Sequence, residues 1–138
     1  MNDLKYWLAL SQFYKFGPAK FKKLKNYFSD IESAYKASLK DYLRAGLEES
    51  LAEEFIIFKQ QIEPNKLLEK LNKEKLNVLT IEDPAYPKLL KQIYDPPFIL
   101  YYRGRIEAFN GFLLAVVGAR KYSAYGRQVT EKLVKELT

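Results

Sequence analysis

The chain has 138 residues, 48% apolar and 29% charged, with a formal net charge of +6 and an isoelectric point near 9.3. This is the profile of a soluble globular protein of one domain or two small ones, with a balance that favours anionic partners such as nucleic acid. Cys and His are both absent, which excludes disulfides, zinc held by Cys or His, cysteine nucleophiles and every His-based triad.

Residues 1–75 read as all-helical. Leu4, Trp7, Leu8 and Leu10 fall at helical spacing. Gly17-Pro18 breaks the chain, with Pro18 suited to the first turn of the next helix. In KFKKLKNYF, Phe21, Leu24, Tyr27 and Phe28 line one face, and Lys20, Lys22, Lys23 and Lys25 fill the other. Ser29-Asp30 caps a short third helix through Tyr35. Ser38 caps a fourth through Leu43 that ends at Gly46. A fifth helix starts near Glu48 and carries Leu51, Phe55 and Phe58. Pro64 opens a sixth, whose buried stripe is Leu67, Leu68 and Leu71.

The pattern changes after Lys75, which sets the expected boundary between a helical domain, 1–75, and a second domain, 76–138. LNVLTI reads as a strand, EDPAYP as a turn, PKLLKQI as one or two helical turns, and FILYYR as a second strand ended by Gly104. FLLAVVG reads as a third strand, apolar on both faces, as at the centre of a parallel sheet. Ser123 is positioned to cap the last helix, with Val129, Leu133, Val134 and Leu137 expected to face that sheet. The fold class is therefore α/β: a helical domain followed by the beginning of a doubly wound domain. Such a sheet needs further βα units to cover FLLAVV, so the expected chain is the front part of a longer protein, with apolar surface left open.

The longest apolar run, Phe112–Val117, is far too short to span a bilayer, and Met1-Asn2-Asp3 before a mixed helix is no signal peptide. The expected setting is the cytoplasm, away from membrane.

LLAVVGARKYSAYGRQVTEKLVKEL carries the chemistry. Gly118 lets the backbone come close to a ligand and take a positive φ if required. The following helix offers free N–H groups and the positive end of its dipole, an anion site. Arg120 and Lys121 sit on the turn, Ser123 and Tyr125 close behind, and Gly126 in the first helical turn, where a side chain would crowd a ligand. Neither G-x-G-x-x-G nor G-x-x-x-x-G-K-S/T is present. Spacing alone thus admits two readings, a phosphate turn or a plain strand-to-helix turn with basic decoration.

AVVGARKYSAYGRQVTEKLVKEL resembles the signature region of the DNA-processing protein A family (DprA, or Smf), with its Val-Gly-Ser-Arg turn and Ser-x-Tyr-Gly step into a helix. YPKLLKQIYDPPFILYYRG resembles that family's Tyr-Pro, Asp-Pro-Pro and Leu-Tyr-to-Gly approach. FGPAKFKKLKNYFSDIESAYKASLKDYLRAG resembles its small helical domain of sterile-alpha-motif (SAM) or helix-hairpin-helix type. Ala119 stands where the family usually has Ser, and Gly17-Pro18-Ala19 replaces a Gly-x-Gly turn. The resemblance implies an extended Rossmann-like domain, often followed by a winged helix. It implies single-stranded DNA binding and loading of the RecA recombinase during natural transformation, with no catalytic residue, cofactor or metal. It also implies a homodimer in the full-length protein, with dimer and RecA surfaces mainly in the part of the domain this chain lacks. The DNA or phosphate contacts it points to are Gly118, Arg120, Lys121, Tyr122, Ser123, Gly126 and Arg127.

Lys20, Lys22, Lys23 and Lys25 are secondary candidates for sequence-independent phosphate contact, set against their reading as a solvated helix face. Arg103 and Arg105 either widen the basic surface or simply face solvent. Among Tyr101, Tyr102, Tyr122 and Tyr125, Tyr122 is the best placed to stack on a base. Tyr101 and Tyr102 read as core, and Tyr125 as a brace of the turn. The alternative function is enzymatic: a Rossmann-like nucleotide-binding protein or nucleoside monophosphate phosphoribohydrolase. Asp95 and Glu107 are its only nearby carboxylates, and Asp95-Pro96-Pro97 reads as a turn former. A third reading makes the helical domain a protein-interaction module.

Overall fold

The computed structural model describes residues 3–107 and 111–137. Six helices come first: α1 (Leu4–Ser11), α2 (Pro18–Tyr27), α3 (Ile31–Lys36), α4 (Leu39–Arg44), α5 (Glu49–Gln60) and α6 (Pro64–Lys73). Then follow β1 (Asn77–Thr80), α7 (Lys88–Lys91), β2 (Ile99–Tyr102) and α8 (Ala124–Leu137).

Helix α1 lies at the centre. Five consecutive residues, Tyr6 to Leu10, are buried, as expected of a helix covered on every side. It packs against α3, α6 and β2. Around it the core is largely aromatic. Phe55 touches Phe13, Phe16 and Tyr42, with ring centroids 5.3, 4.5 and 5.4 Å away. Tyr42 is fully buried, and its hydroxyl donates toward the carbonyls of Ala34 (2.8 Å) and Tyr35 (2.9 Å). Lys59 reaches the same place, donating from Nζ to Ala37 O at 2.6 Å and Tyr35 O at 3.2 Å. Together they satisfy carbonyls at the end of α3 that the helix leaves without partners.

The caps follow the sequence. Asp30 accepts the Ser33 N–H at the start of α3, and Ser38 and Asp41 form a reciprocal capping box on α4. Two helices end in the same motif. After α4, Gly46 at φ +84° allows Gly46 N–H to bond Leu43 O and Leu47 N–H to bond Tyr42 O. After α6, Lys75 at φ +52° does the same, with bonds from Lys75 N to Asn72 O and from Leu76 N to Leu71 O. Of the stripe expected on α6, Leu71 is buried and Leu67 and Leu68 are half-buried.

β1 and β2 pair antiparallel, from Asn77↔Tyr102 to Thr80↔Ile99. This ribbon joins the helical core. Phe98 stacks on Phe21 of α2 with centroids 4.0 Å apart and planes 6° from parallel, and Lys25 pairs with Glu82 at 2.5 Å. The long connection between the strands is pinned at both ends. Asp83 accepts the Thr80 N–H and hydroxyl, and the buried Tyr86 hydroxyl donates to Pro97 O at 2.7 Å. The Tyr-Pro and Asp-Pro-Pro elements of the sequence are thus the two sides of one clamp.

Two expectations are corrected here. FLLAVV does not form a third strand: residues 112–117 pair with nothing in the ribbon and stand in solvent, with Phe112 98% and Val117 92% exposed. A strand needs a neighbour to take its N–H and C=O groups, and among the described residues β1 and β2 have only each other. Consequently α8 has no sheet to cover. It buries no residue; Val129 is half-buried, and Leu133, Val134 and Leu137 are exposed rather than facing a sheet. The exposed apolar surface itself is as expected.

Candidate nucleic-acid interface

The site begins with the start of α8. Ser123 is its cap: Oγ accepts the Gly126 N–H at 3.0 Å, and the Ser123 carbonyl accepts the Arg127 N–H at 3.0 Å. The N–H groups of the first turn point out of the helix without helical acceptors. That turn contains no acidic residue, so the positive end of the helix dipole is not countered by its own side chains.

Gly118 is not in the left-handed region, and a Cβ placed there would meet nothing within 4 Å. The turn itself therefore does not demand glycine; its lack of a side chain leaves space. Gly126 is tighter, since a Cβ would come 3.4 Å from the capping Ser123 Oγ. Glycine there protects the cap as well as the space in front of it.

That space is an open groove of about 920 Å³. Gly118, Lys121, Tyr122, Ser123, Gly126 and Arg127 all line it, between the apolar wall of Val116 and Val117 and the first two turns of α8. Arg120 does not line it; it is exposed on the turn beside it. Ala119 lines the groove too, and on α8 the lining is completed by Thr130 and Glu131. The sequence reading missed both, although each lies four residues beyond a candidate, Gly126 and Arg127, on one helix face. Arg127 Nε donates to Glu131 Oε1 at 2.7 Å, which occupies one of its five donors. Tyr122 and Tyr125 are exposed.

The lysine face of α2 is mostly engaged. Lys20 pairs with Glu48 at 3.0 Å, and this bond holds the Glu48 carboxyl below its ordinary value. Lys23 donates to Gly46 O at 2.7 Å, and Lys25 pairs with Glu82 while its Nζ lies 5.6 Å from the centre of the Trp7 ring. Lys22 is exposed and makes none of these bonds. Arg103 donates to Glu74 O at 3.4 Å, and Arg105 is exposed. Tyr101 is half-exposed and its hydroxyl meets Ser11 Oγ at 2.9 Å, tying β2 to α1, while Tyr102 is half-buried. No described helix is long and apolar enough to cross a membrane.

A capped helix start, an open groove and a set of cations define the class: a protein in which a helical body is followed by an exposed, cation-bearing turn-and-helix unit. Similarity to known proteins gives the family. Residues 77–138 match the model of DNA recombination-mediator protein A. The chain is 33% identical over 143 residues to Protein Smf of Synechocystis, an alignment that covers 99% of this chain and 35% of that protein. It is 36% identical over 73 residues to the DNA processing protein DprA of Bacillus subtilis, covering 52% of this chain and 25% of that one. The DprA of Streptococcus pneumoniae is 38% identical over 64 residues, covering 46% and 23%. The chain belongs to the DprA/Smf family of DNA-processing proteins. It spans about a third or less of the length of these relatives. No solved structure matches it.

Proposed function

We propose that the groove at the start of α8 seats the backbone of single-stranded DNA. The observation that carries this is the convergence of an uncountered helix start with Lys121, Arg127 and the Ser123 cap on one open groove. Phosphate is the anion that such an arrangement suits. Arg120 stands beside the groove with no hydrogen bond or ion pair among the described residues, so its guanidinium is available for a bidentate phosphate contact. Tyr122, on the groove wall and exposed, offers a face for a base.

In this reading the DNA-contacting unit begins after Lys75, in keeping with the family match that starts at residue 77. The intact protein, a cytoplasmic homodimer, mediates recombination by loading a RecA-type recombinase on the bound strand. The helical body is the small SAM or helix-hairpin-helix-like module, and 76–138 is the front of a Rossmann-like domain. Binding is preferred to hydrolysis because the groove is lined by a capped helix start and cations, with a single carboxylate, Glu131, that is largely exposed to solvent.

The test is fluorescence anisotropy of a labelled single-stranded oligonucleotide with the intact protein across a salt series. Arg120→Ala is expected to weaken binding by about 1–3 kcal/mol, the cost of removing a charged hydrogen bond. The slope of log affinity against log salt is expected to fall by about 0.7 for each phosphate that is no longer neutralised. Both quantities unchanged in a folded variant would make the turn purely structural.

A further inference from the structure

A second groove, of about 610 Å³, runs between α2 and the clamped connection from β1 to β2. Its floor contains the stacked pair Phe21 and Phe98. Lys22, Lys23 and Lys25 line it from α2, and Lys91 lines it from the end of α7. Tyr94 stands on its rim with 97% of its surface exposed, just before the Asp95-Pro96-Pro97 turn.

The charges on this groove are not balanced. Four lysines face Glu82 and Asp95. Glu82 is already taken by Lys25, and Lys23 is drawn to the Gly46 carbonyl. Lys22 and Lys91 remain exposed without an ion pair among the described residues, on the two walls of one cleft. The Tyr94 ring, almost wholly in solvent, adds no packing to the fold and is open to a ligand. Its rim position beside two unpaired cations is the combination by which single-strand binders hold a nucleotide: a ring for the base and cations for the flanking phosphates. The connection that carries it is fixed by the Asp83 turn and the Tyr86–Pro97 bond, so the ring is presented from a braced segment.

We infer that this groove is a second single-strand contact, in which Tyr94 stacks on a base and Lys22 and Lys91 flank it on phosphate. The inference rests on the single-stranded DNA reading given above but uses none of the residues of the α8 groove. Asp95, on the same rim, limits the attraction and makes the contact weaker than one built of cations alone.

The experiment uses the intact protein and a polythymidine oligonucleotide bearing a photoreactive 5-iodouracil. Irradiation is expected to join Tyr94 to the base, and Tyr94→Ala to weaken binding about tenfold. Lys22→Gln with Lys91→Gln is expected to lower the salt slope by about 1.4, two phosphates at the single-strand slope. Tyr94→Phe keeps the ring and is expected to bind as the parent does. If the parent binds the oligonucleotide while Tyr94→Ala and the double variant bind equally well, this groove is not a DNA contact and the α8 groove stands alone. If the parent itself does not bind, both readings fail together. If acidic peptide displaces no DNA yet binds in a Tyr94-dependent way, the groove is a protein-docking surface and the inference is overturned.

Discussion

The helical body and the segment from residue 111 onward have similar apolar content and opposite fates. In α1, five neighbouring residues are buried among aromatic rings. In 112–117 an equally apolar run lies in water, and α8, with a clear apolar stripe, buries none of it. An amphipathic pattern decides that a helix forms and which side is apolar; it does not supply the surface that side needs. Closely packed elements also hold their side chains fixed, whereas sparsely packed ones are where ligand contacts tend to be placed. The family match spans both kinds of structure, the ribbon docked on the body and the open turn and helix.

The contrast is sharpest in energy. Phe55 is fully buried against the rings of Phe13, Phe16, Tyr35, Tyr42 and Phe58. Phe55→Ala is therefore expected to cost about 3–5 kcal/mol, through forfeited transfer energy and a cavity. Leu133→Ala, on exposed α8, is expected to stay within about 0.5 kcal/mol. Urea denaturation followed by tryptophan fluorescence measures both, since Trp7 lies in the body. Equal costs would mean that α8 is packed and that the contrast is false.

Next in size is Lys59, whose ammonium holds the carbonyls of Tyr35 and Ala37 with no carboxylate among those partners. Burial lowers its pKa below the ordinary 10.5. Lys59→Met keeps the aliphatic stem but abandons the carbonyls, and is expected to cost about 1–3 kcal/mol. A variant as stable as the parent would show that water serves those carbonyls equally well.

Much of the body was legible in the sequence because its signals are local. Asp30 and Ser38 cap where their types predict, Pro64 opens α6, and Gly46 closes α4. The turn before α8 was legible for the same reason, since Ser123 caps it and six of the seven candidates share one groove. What could not be read depends on partners distant in the chain. Residues 112–117 have the composition of a buried strand, but a strand exists only with a neighbour. Phe98 on Phe21 joins positions 77 residues apart, and Lys25–Glu82 turns a supposed solvated lysine into a link between α2 and the ribbon. The left-handed Lys75 carries no turn signal at all. Arg120 beside the groove, not on it, is likewise a matter of rotation about a turn that residue type does not determine.

Titration gives a third test of the body. Burial raises the Tyr42 hydroxyl pKa well above the usual tyrosine value, and raises Tyr35 in the same sense. A group raised in the folded state stabilises fully below its unfolded value, about 10, and loses that contribution as pH climbs toward the folded value. Lys59, lowered and touching the Tyr42 hydroxyl at 3.5 Å, works oppositely, adding stability as pH rises toward 10.5. The expected profile therefore rises gently or stays flat to about pH 10 and falls beyond it. Tyr42→Phe is expected to cost about 1 kcal/mol at neutral pH, for two shared hydrogen bonds, and to flatten the alkaline fall. An unchanged slope above pH 10 would place the responsible phenol elsewhere, with Tyr86, also raised by burial, the next to replace.

The smallest expected effect tests how far the body extends. Gly46 and Lys75 occupy the same position in the same helix-ending motif, each with a positive φ, and only Gly46 has the residue that geometry favours. Lys75 is exposed and forms no ion pair among the described residues, so replacing it sacrifices no side-chain bond. Left-handed backbone costs a residue with a Cβ about 1–2 kcal/mol, partly offset by the greater freedom glycine has when unfolded. Lys75→Gly is therefore expected to stabilise the protein by about 0.5–1 kcal/mol. Because Lys75 joins α6 to β1, and β1–β2 is docked through Phe98, the gain should appear in one cooperative unfolding transition seen by Trp7 fluorescence and by amide exchange in β1 and β2 alike. Protection of α8 amides should not change, since α8 buries no residue. A gain confined to α6, with the strands exchanging as before, would show that the ribbon opens independently and that the body ends at Lys75.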